Sequence, residues 1–380
     1  MAALVLNEEQ QMLKDAAQRF FADNAPVAQL RRLRDSRDAT GYSTDLWRSM
    51  AEMGFTGTLI PEALGGSGFG HVGMGQLSEQ AGRNLSASPL FSTCVLAAST
   101  LLQGGSDEQK QSMLPAIASG NLVVALALDE KPRHQPWSIN TTAQNLDGGF
   151  VINGQKTFVV DGHVADRLIV AARTNVGKQD SDGISLFLVD PGLEGVAIER
   201  TMMADSRNAA RITLDHVRLG EDALLGQLDQ GHAVLDRVLD AGNAQLAAEL
   251  LGLSLEAFER TVAFLQERKQ FGVIIGSFQS LQHRAAHMFS ELELVKSVVL
   301  KALVALDEEA DNASALVSLA KAKACEVAEL VTNEMIQMHG GMGMTDEFDA
   351  GLFITRARVV QQLLGDYRFH ADRFARAQGF

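Results

Sequence analysis

Two short stretches carry residue types suited to gripping a phosphate. "ERKQFGVIIGSFQSLQH" (267–283) sets Arg268 close to Phe271 and Gly272. A guanidinium is a planar, permanently charged fork that pairs with phosphate oxygens, and a nearby aromatic ring can cover an adjoining heterocycle. About 70 residues later, "QMHGGMG" (337–343) places Gly340, Gly341 and Gly343 between two helix-like runs. Glycine costs a helix interior about 1 kcal/mol relative to alanine. Omitting Cβ atoms here lets something approach the backbone, and a pyrophosphate on amide N–H groups fits that description. Alone, "RKQFG" is more often a solvated helix end and "HGGMG" more often a loop; their joint occurrence carries the argument. His339 has no second His, Cys or carboxylate spaced for a metal and reads as exposed, so no metal is expected. Met338, Met342 and Met344 read as packing.

These residues need a frame, and the hydrophobic period supplies one. Up to about residue 120 the chain reads helical. Asn7 with Gln10 forms a capping box opening "EEQQMLKDAAQRFFA", with Met12, Ala16 and Phe20 on one face. "STDLWRSMAEMG" repeats the pattern, with Trp47, Met50 and Ala51 inward and Gly54 as a stop. From 121 the period moves towards two. "GFVINGQKTFVV" predicts a hairpin turning at Asn153-Gly154, and "DRLIVAART", "GISLFLVD", "GVAIERTM" and "ARITLDHVRL" follow as strands. After about 227 helix returns, and Ala285, Met288, Leu292, Val295, Val299, Ala302 and Leu306 form the seam of a bundle helix. Segments 243–268, 312–338 and 350–375 supply the other three. The fold class is therefore α+β and multidomain. An N-terminal α-helical domain (1–120) precedes a middle antiparallel β-barrel or sandwich (121–226) and a C-terminal four-helix bundle (227–380).

Composition narrows the function. A net charge of -14 and a pI near 5.1 argue against nucleic acid, while leaving room for an anionic ligand held by local Arg and Lys. Cys94 and Cys325 have neither CxxC nor metal spacing and read as free thiols in a reducing cytoplasm. The amino-terminal apolar run is too short and lacks the basic flank of a signal peptide, and no apolar stretch is long enough for a membrane span.

Together with "PEALGGSGFG" (61–70) and "INGQK" (152–156), the two phosphate-type motifs give the chain a resemblance to the acyl-CoA dehydrogenase family over nearly its whole length. The resemblance implies FAD, an acyl-CoA substrate, electron-transfer flavoprotein as acceptor, and a homotetramer or a heterotetramer with a paralogous subunit. Matching motif to motif, Arg268, Phe271, Gln279, Gln337, Gly340 and Gly341 would hold the ADP half of an FAD lodged mainly in the neighbouring subunit. The family's reaction also needs a carboxylate base. The residue matching the usual late Glu is Leu364, and the one matching the alternative position is Gly242. Asp366 falls two residues from Leu364, roughly 200° around a continuous helix, and would face away. Glu249, seven residues beyond Gly242 and about 10 Å along the helix, is the remaining candidate. The loop and strand that would hold the flavin ring depart too, reading "LDEKPRHQPWSI" (128–139) and "TFVVDG" (157–162). Val160 stands where a hydroxyl is expected, and Phe158 is left to cover the ring. The chain is then an acyl-CoA dehydrogenase with an unusual base, or a non-catalytic subunit completing the FAD site of a catalytic paralogue. A flavin-free helical scaffold is the third reading.

Overall fold

A computed structural model describes residues 5–146, 148–175 and 180–380. Residues 1–4, the start of the run considered above as a signal peptide, lie outside them.

The amino-terminal third is helical: α1 (Glu8–Asn24), α2 (Val27–Ser36), α3 (Thr44–Glu52), α4 (Gly70–Arg83), a π-helical turn at Leu90–Ala97 running into α5 (Ala98–Gly104), and α6 (Asp107–Ala118). The Asn7/Gln10 capping box opens α1. Its buried residues are Ala17, Phe20 and Phe21. The inward row is therefore rotated from the expected one, and Met12 is 68% exposed, because two adjacent phenylalanines outweigh one methionine in choosing the buried face. In α3, Ser43 caps the helix and Trp47 and Met50 are buried, while Ala51 is only half-buried.

Among the described residues eight strands follow: β1 (Val124–Ala127), β2 (Thr142–Leu146), β3 (Gly149–Val160), β4 (Arg167–Arg173), β5 (Ile184–Val189), β6 (Val196–Met202), β7 (Asn208–Leu219) and β8 (Leu224–Leu225). They form one sheet in the order β6-β7-β3-β2-β4-β5-β8, with β1 on β4. Most pairs are antiparallel. The exceptions are β1 on β4 and the single Thr142–Arg173 pairing of β2 with β4, which make the sheet mixed. Asn153-Gly154 is not a turn: β3 runs through it with a bulge against β7. Gly154 (φ 156°) is required there because a Cβ would lie 2.4 Å from Thr141 Oγ1, and Asn153 Oδ1 accepts the His216 amide. β2 instead pairs antiparallel with the start of β3, Leu146 opposite Gly149.

The carboxy-terminal elements are α7 (Gly231–Glu267), a small ribbon of β9 (Lys269–Gln270) and β10 (Val273–Ile274), α8 (Gln279–Asp307), α9 (Ala313–His339), α10 (Ala350–Gln362) and α11 (Tyr367–Ala377). Met288, Leu292, Val295, Val299 and Ala302 of the α8 seam are buried, and the two ends, Ala285 and Leu306, are half-buried. The expected last helix is two helices, broken at residues 363–366. By packing, the chain forms a helical unit (residues up to Ser36, His71–Ala87, Asn243–Phe380) and a sheet unit (Arg37–Gly70, Ser88–Gly242). Within the helical unit α4 lies tight on α7. A Cβ on Gly82 would come 2.2 Å from Glu249 O, and one on Gly252 would come 1.8 Å from Glu79 O. No helix of the described residues is long and apolar enough to cross a membrane.

Candidate active site

All six residues expected to meet a dinucleotide lie in the helical unit, and all six are exposed. α7 ends one residue before Arg268, whose amide still bonds Phe264 O at 2.9 Å. The chain then turns through Phe271 (φ 54°) and Gly272 (φ 82°), leaving the Phe271 ring 89% exposed. Gln279 opens α8, and Gln337, Gly340 and Gly341 close α9. What joins the two motifs is His339. It is buried, contrary to expectation, with its ring stacked on Phe264 of α7 (4.2 Å between centroids) and tilted against Phe348 on its other side (4.4 Å). Its Nδ1 donates to Met335 O at 2.7 Å, and burial holds its pKa below the ordinary value. A ring flanked by two phenyl faces keeps the end of α9 beside the end of α7.

This edge fits an ADP group. Arg268 makes no side-chain hydrogen bond or ion pair with the described residues, and a Cβ at Gly340 or Gly341 would meet nothing within 4 Å. Gly340 sits at φ 58°, where only glycine is relaxed. The carboxyl end of α9 carries partial negative charge, so a phosphate placed there would need a cation such as Arg268 to balance it.

The acids considered for proton abstraction are otherwise engaged. Glu249 is buried, and Arg356 Nε donates to its Oε1 at 2.7 Å from α10. Leu364 lies in the turn after α10 with φ 54°. The buried ammonium of Lys321, on α9, donates to the carbonyls of Val360 (3.1 Å), Leu363 (3.2 Å) and Gly365 (3.1 Å). His370 Nε2 donates to Leu364 O at 3.1 Å. These bonds stop α10, so the helical angle used above to set Asp366 aside does not apply. Asp366 is occupied differently: its Oδ1 caps α11 by accepting the Phe369 amide at 2.9 Å. Gly242 is buried within α7.

Comparison with known proteins decides the family. The acyl-CoA dehydrogenase N-terminal, middle and C-terminal domain families match residues 7–121, 129–217 and 229–378. The chain is 31% identical to the probable acyl-CoA dehydrogenase YngJ of Bacillus subtilis, covering 94% of each. The chain belongs to the acyl-CoA dehydrogenase family. It is also 29% identical to the caffeyl-CoA reductase-Etf complex subunit CarC of Acetobacterium woodii, covering 94% of each. Among solved structures it resembles a variant of the Tcur3481-Tcur3483 steroid ACAD, with TM-score 0.87, 30% identity and 98% of each chain covered. Acyl-CoA dehydrogenases are FAD-binding oxidoreductases that act on CH–CH bonds.

In the sheet unit, the stretch expected to face a flavin ring in this family is well built. Phe158 is 51% exposed at φ 52°, in the second irregularity of β3. A phenylalanine held left-handed and outward is strained. Thr157 N bonds Asp129 O (2.8 Å), which ties the 128–139 loop to β3. Fully buried Lys156 pairs with Glu130 at 2.7 Å; burial pushes the lysine down to about 8, against the pull of the carboxylate. Glu130 in turn accepts the amides of Asn140 and Thr141. Sequence reasoning missed Lys156, Lys321 and His370. Lys321 had a visible signal, since it interrupts the apolar seam Val317, Ala320, Ala324, Ala328 of α9.

Proposed function

We propose that this chain works within an acyl-CoA dehydrogenase assembly by lending its exposed edge to an FAD held mainly by a neighbouring subunit, and leaves proton abstraction to a paralogous subunit. One observation carries this reading: both base positions, Leu364 and Gly242, lack a carboxylate, while Glu249 is paired with Arg356 and Asp366 caps α11. When bound, FAD supplies the acceptor for the hydride leaving the β-carbon of the acyl thioester. The residues of this chain bind and orient. Arg268 neutralises phosphate, Phe271 covers an adjoining ring, Gln279 and Gln337 offer amide hydrogen bonds, and Gly340 and Gly341 admit the pyrophosphate to the backbone. Similarity to a steroid ACAD named for two gene products supports a heteromer and an acyl group of the steroid-side-chain type. Similarity to an Etf-complex subunit supports electron-transfer flavoprotein as acceptor. We place the assembly in the cytoplasm and keep 1–120, 121–226 and 227–380 as its domain division, which the three family matches support.

The outward Phe158 favours a second reading, a homo-oligomer that holds its own flavin ring and uses another acid. Purifying the chain alone, recording its visible spectrum and testing anaerobic bleaching with a panel of acyl-CoAs separates the two. The proposal expects a colourless, inert chain that gains flavin and activity beside a paralogue retaining the Glu. Brisk bleaching by the unmodified chain overturns it. In a flavin-loaded homo-oligomer that is merely slow, Leu364→Glu should recover part of the factor of about 10² to 10⁴ that a general base contributes.

A further inference from the structure

The glycine segment is followed by "TDEFD" (345–349), three acids in five residues next to a site read as binding phosphate. Unbalanced, they would repel an anion. Arginines of the same helical unit hold two of them. Arg34 of α2 takes both Asp346 oxygens, at 2.6 and 2.7 Å, in the two-pronged geometry that gives arginine pairs their strength. Arg31, one turn earlier, donates to Asp346 O at 2.5 Å and to Asp349 Oδ1 at 2.8 Å. The second oxygen of Asp349 goes to Arg260 of α7, also at 2.8 Å, and that guanidinium lies 5.1 Å over the Phe353 ring and bonds Glu256. Between the two clamped acids, the Phe348 ring packs at a tilt against His339. The segment Gly340–Met344 is thus fixed by a stacked ring before it and by a clamped acid pair after it, while the positions beside Gly340 and Gly341 stay open. Single exposed ion pairs contribute little, but a two-pronged, networked one is the case that counts. Asp346 is 70% exposed, which leaves this clamp open to salt.

We propose that Arg31, Arg34 and Arg260 are positioning residues that latch the glycine segment in the shape that admits an anionic dinucleotide. Retention of that ligand then depends on ionic strength through the loop as well as through Arg268. The inference rests on the proposed role of the edge, and its first test needs no cofactor. Hydrogen exchange is followed on the full chain as wild type, Arg31→Gln and Arg34→Gln, at low salt and at about 0.5 M, where screening reaches only a few Å. The latch expects exchange across 340–349 to quicken about three- to tenfold in both variants and in salt, with peptides of the sheet unit unmoved. Pairing Arg34→Asp with Asp346→Arg should restore protection. In the FAD-loaded assembly, Arg34→Gln should lower FAD retention by a similar factor and flatten its salt dependence. Unchanged exchange in both variants overturns the latch whatever happens to FAD. Quicker exchange with unchanged retention overturns its coupling to the ligand. Unchanged retention in Arg268→Ala instead overturns the underlying reading of the edge.

Discussion

Two regions of the helical unit both carry special backbone, yet they are built in opposite ways. At the edge around Arg268 and Gly340 the guanidinium is uncommitted, the Phe271 ring stands out, and space is left beside two glycines. At the turn around Leu364 the backbone carbonyls and the carboxylates considered as bases are engaged within the fold. Lys321 and His370 gather the carbonyls, Asp366 caps the next helix, and Glu249 and Arg356 neutralise one another beneath α4. Unspent hydrogen-bonding capacity at a surface marks a place where a ligand completes the structure. Capacity consumed internally marks a place where the fold completes itself. On the proposed reading the chain is prepared to bind at the first region and prepared to stay folded at the second.

That contrast breaks most directly at Glu249. If it belongs to the scaffold, Glu249→Gln removes the carboxylate charge that neutralises the buried Arg356 and should cost about 3–5 kcal/mol of unfolding free energy. Urea melts would show this, with any loss of activity tracking the loss of folded protein. A variant of wild-type stability whose turnover falls by about 10² or more would instead make Glu249 the base. The edge gives the opposite signature. In its proposed role Arg268 makes a charge-assisted phosphate contact of about 1.5–3 kcal/mol, so in Arg268→Ala FAD retention should fall about ten- to a hundredfold while the melting curve stays in place. A shifted melt with intact retention would reverse the comparison.

Sequence pattern revealed the helical and strand regions because burial imposes its period on any chain of this kind. It misjudged the places where one side chain from far away decides the backbone. Asn153-Gly154 looked like a hairpin turn, since the same φ freedom serves a bulge, and only the approach of Thr141 distinguishes them. The break at 363–366 was missed although Gly365 and the capping Asp366 mark it, and the side chain that holds it, Lys321, lies more than thirty residues upstream on another helix. His339 looked exposed because neither Phe264 nor Phe348 is near it in helical spacing. The exposure and open space at the glycine and arginine motifs were legible for a complementary reason: the missing Cβ atoms are written in the residue types themselves.

The smallest effect concerns His339, the ring that keeps the two halves of the edge together. Burial lowers its pKa from the ordinary value of 6.5, and no charged neighbour contributes to the shift. As pH falls through 6.5 the unfolded chain takes up a proton at this residue and the folded chain does not. The unfolded state therefore binds more protons, and stability drops on acidification until the folded pKa is reached. Above 6.5 both states are neutral and the contribution vanishes. His71 and His163 are also shifted downward by burial, so the total acid dependence belongs to several residues. The share of His339 is the difference between wild type and His339→Phe, which keeps a flat ring between Phe264 and Phe348 but cannot take a proton. Urea melts at pH 7.5 and 5.5 should show a smaller loss for the variant, by at most the linkage free energy available as pH falls from 6.5 to 5.5, about 1.4 kcal/mol. The same variant should retain FAD at pH 7.5, because the stack rather than the imidazole sets the spacing. Equal acid sensitivity in the two proteins would mean that His339 is not held neutral. Lost FAD with a retained stack would mean that the imidazole nitrogen, and not the ring plane, serves the edge.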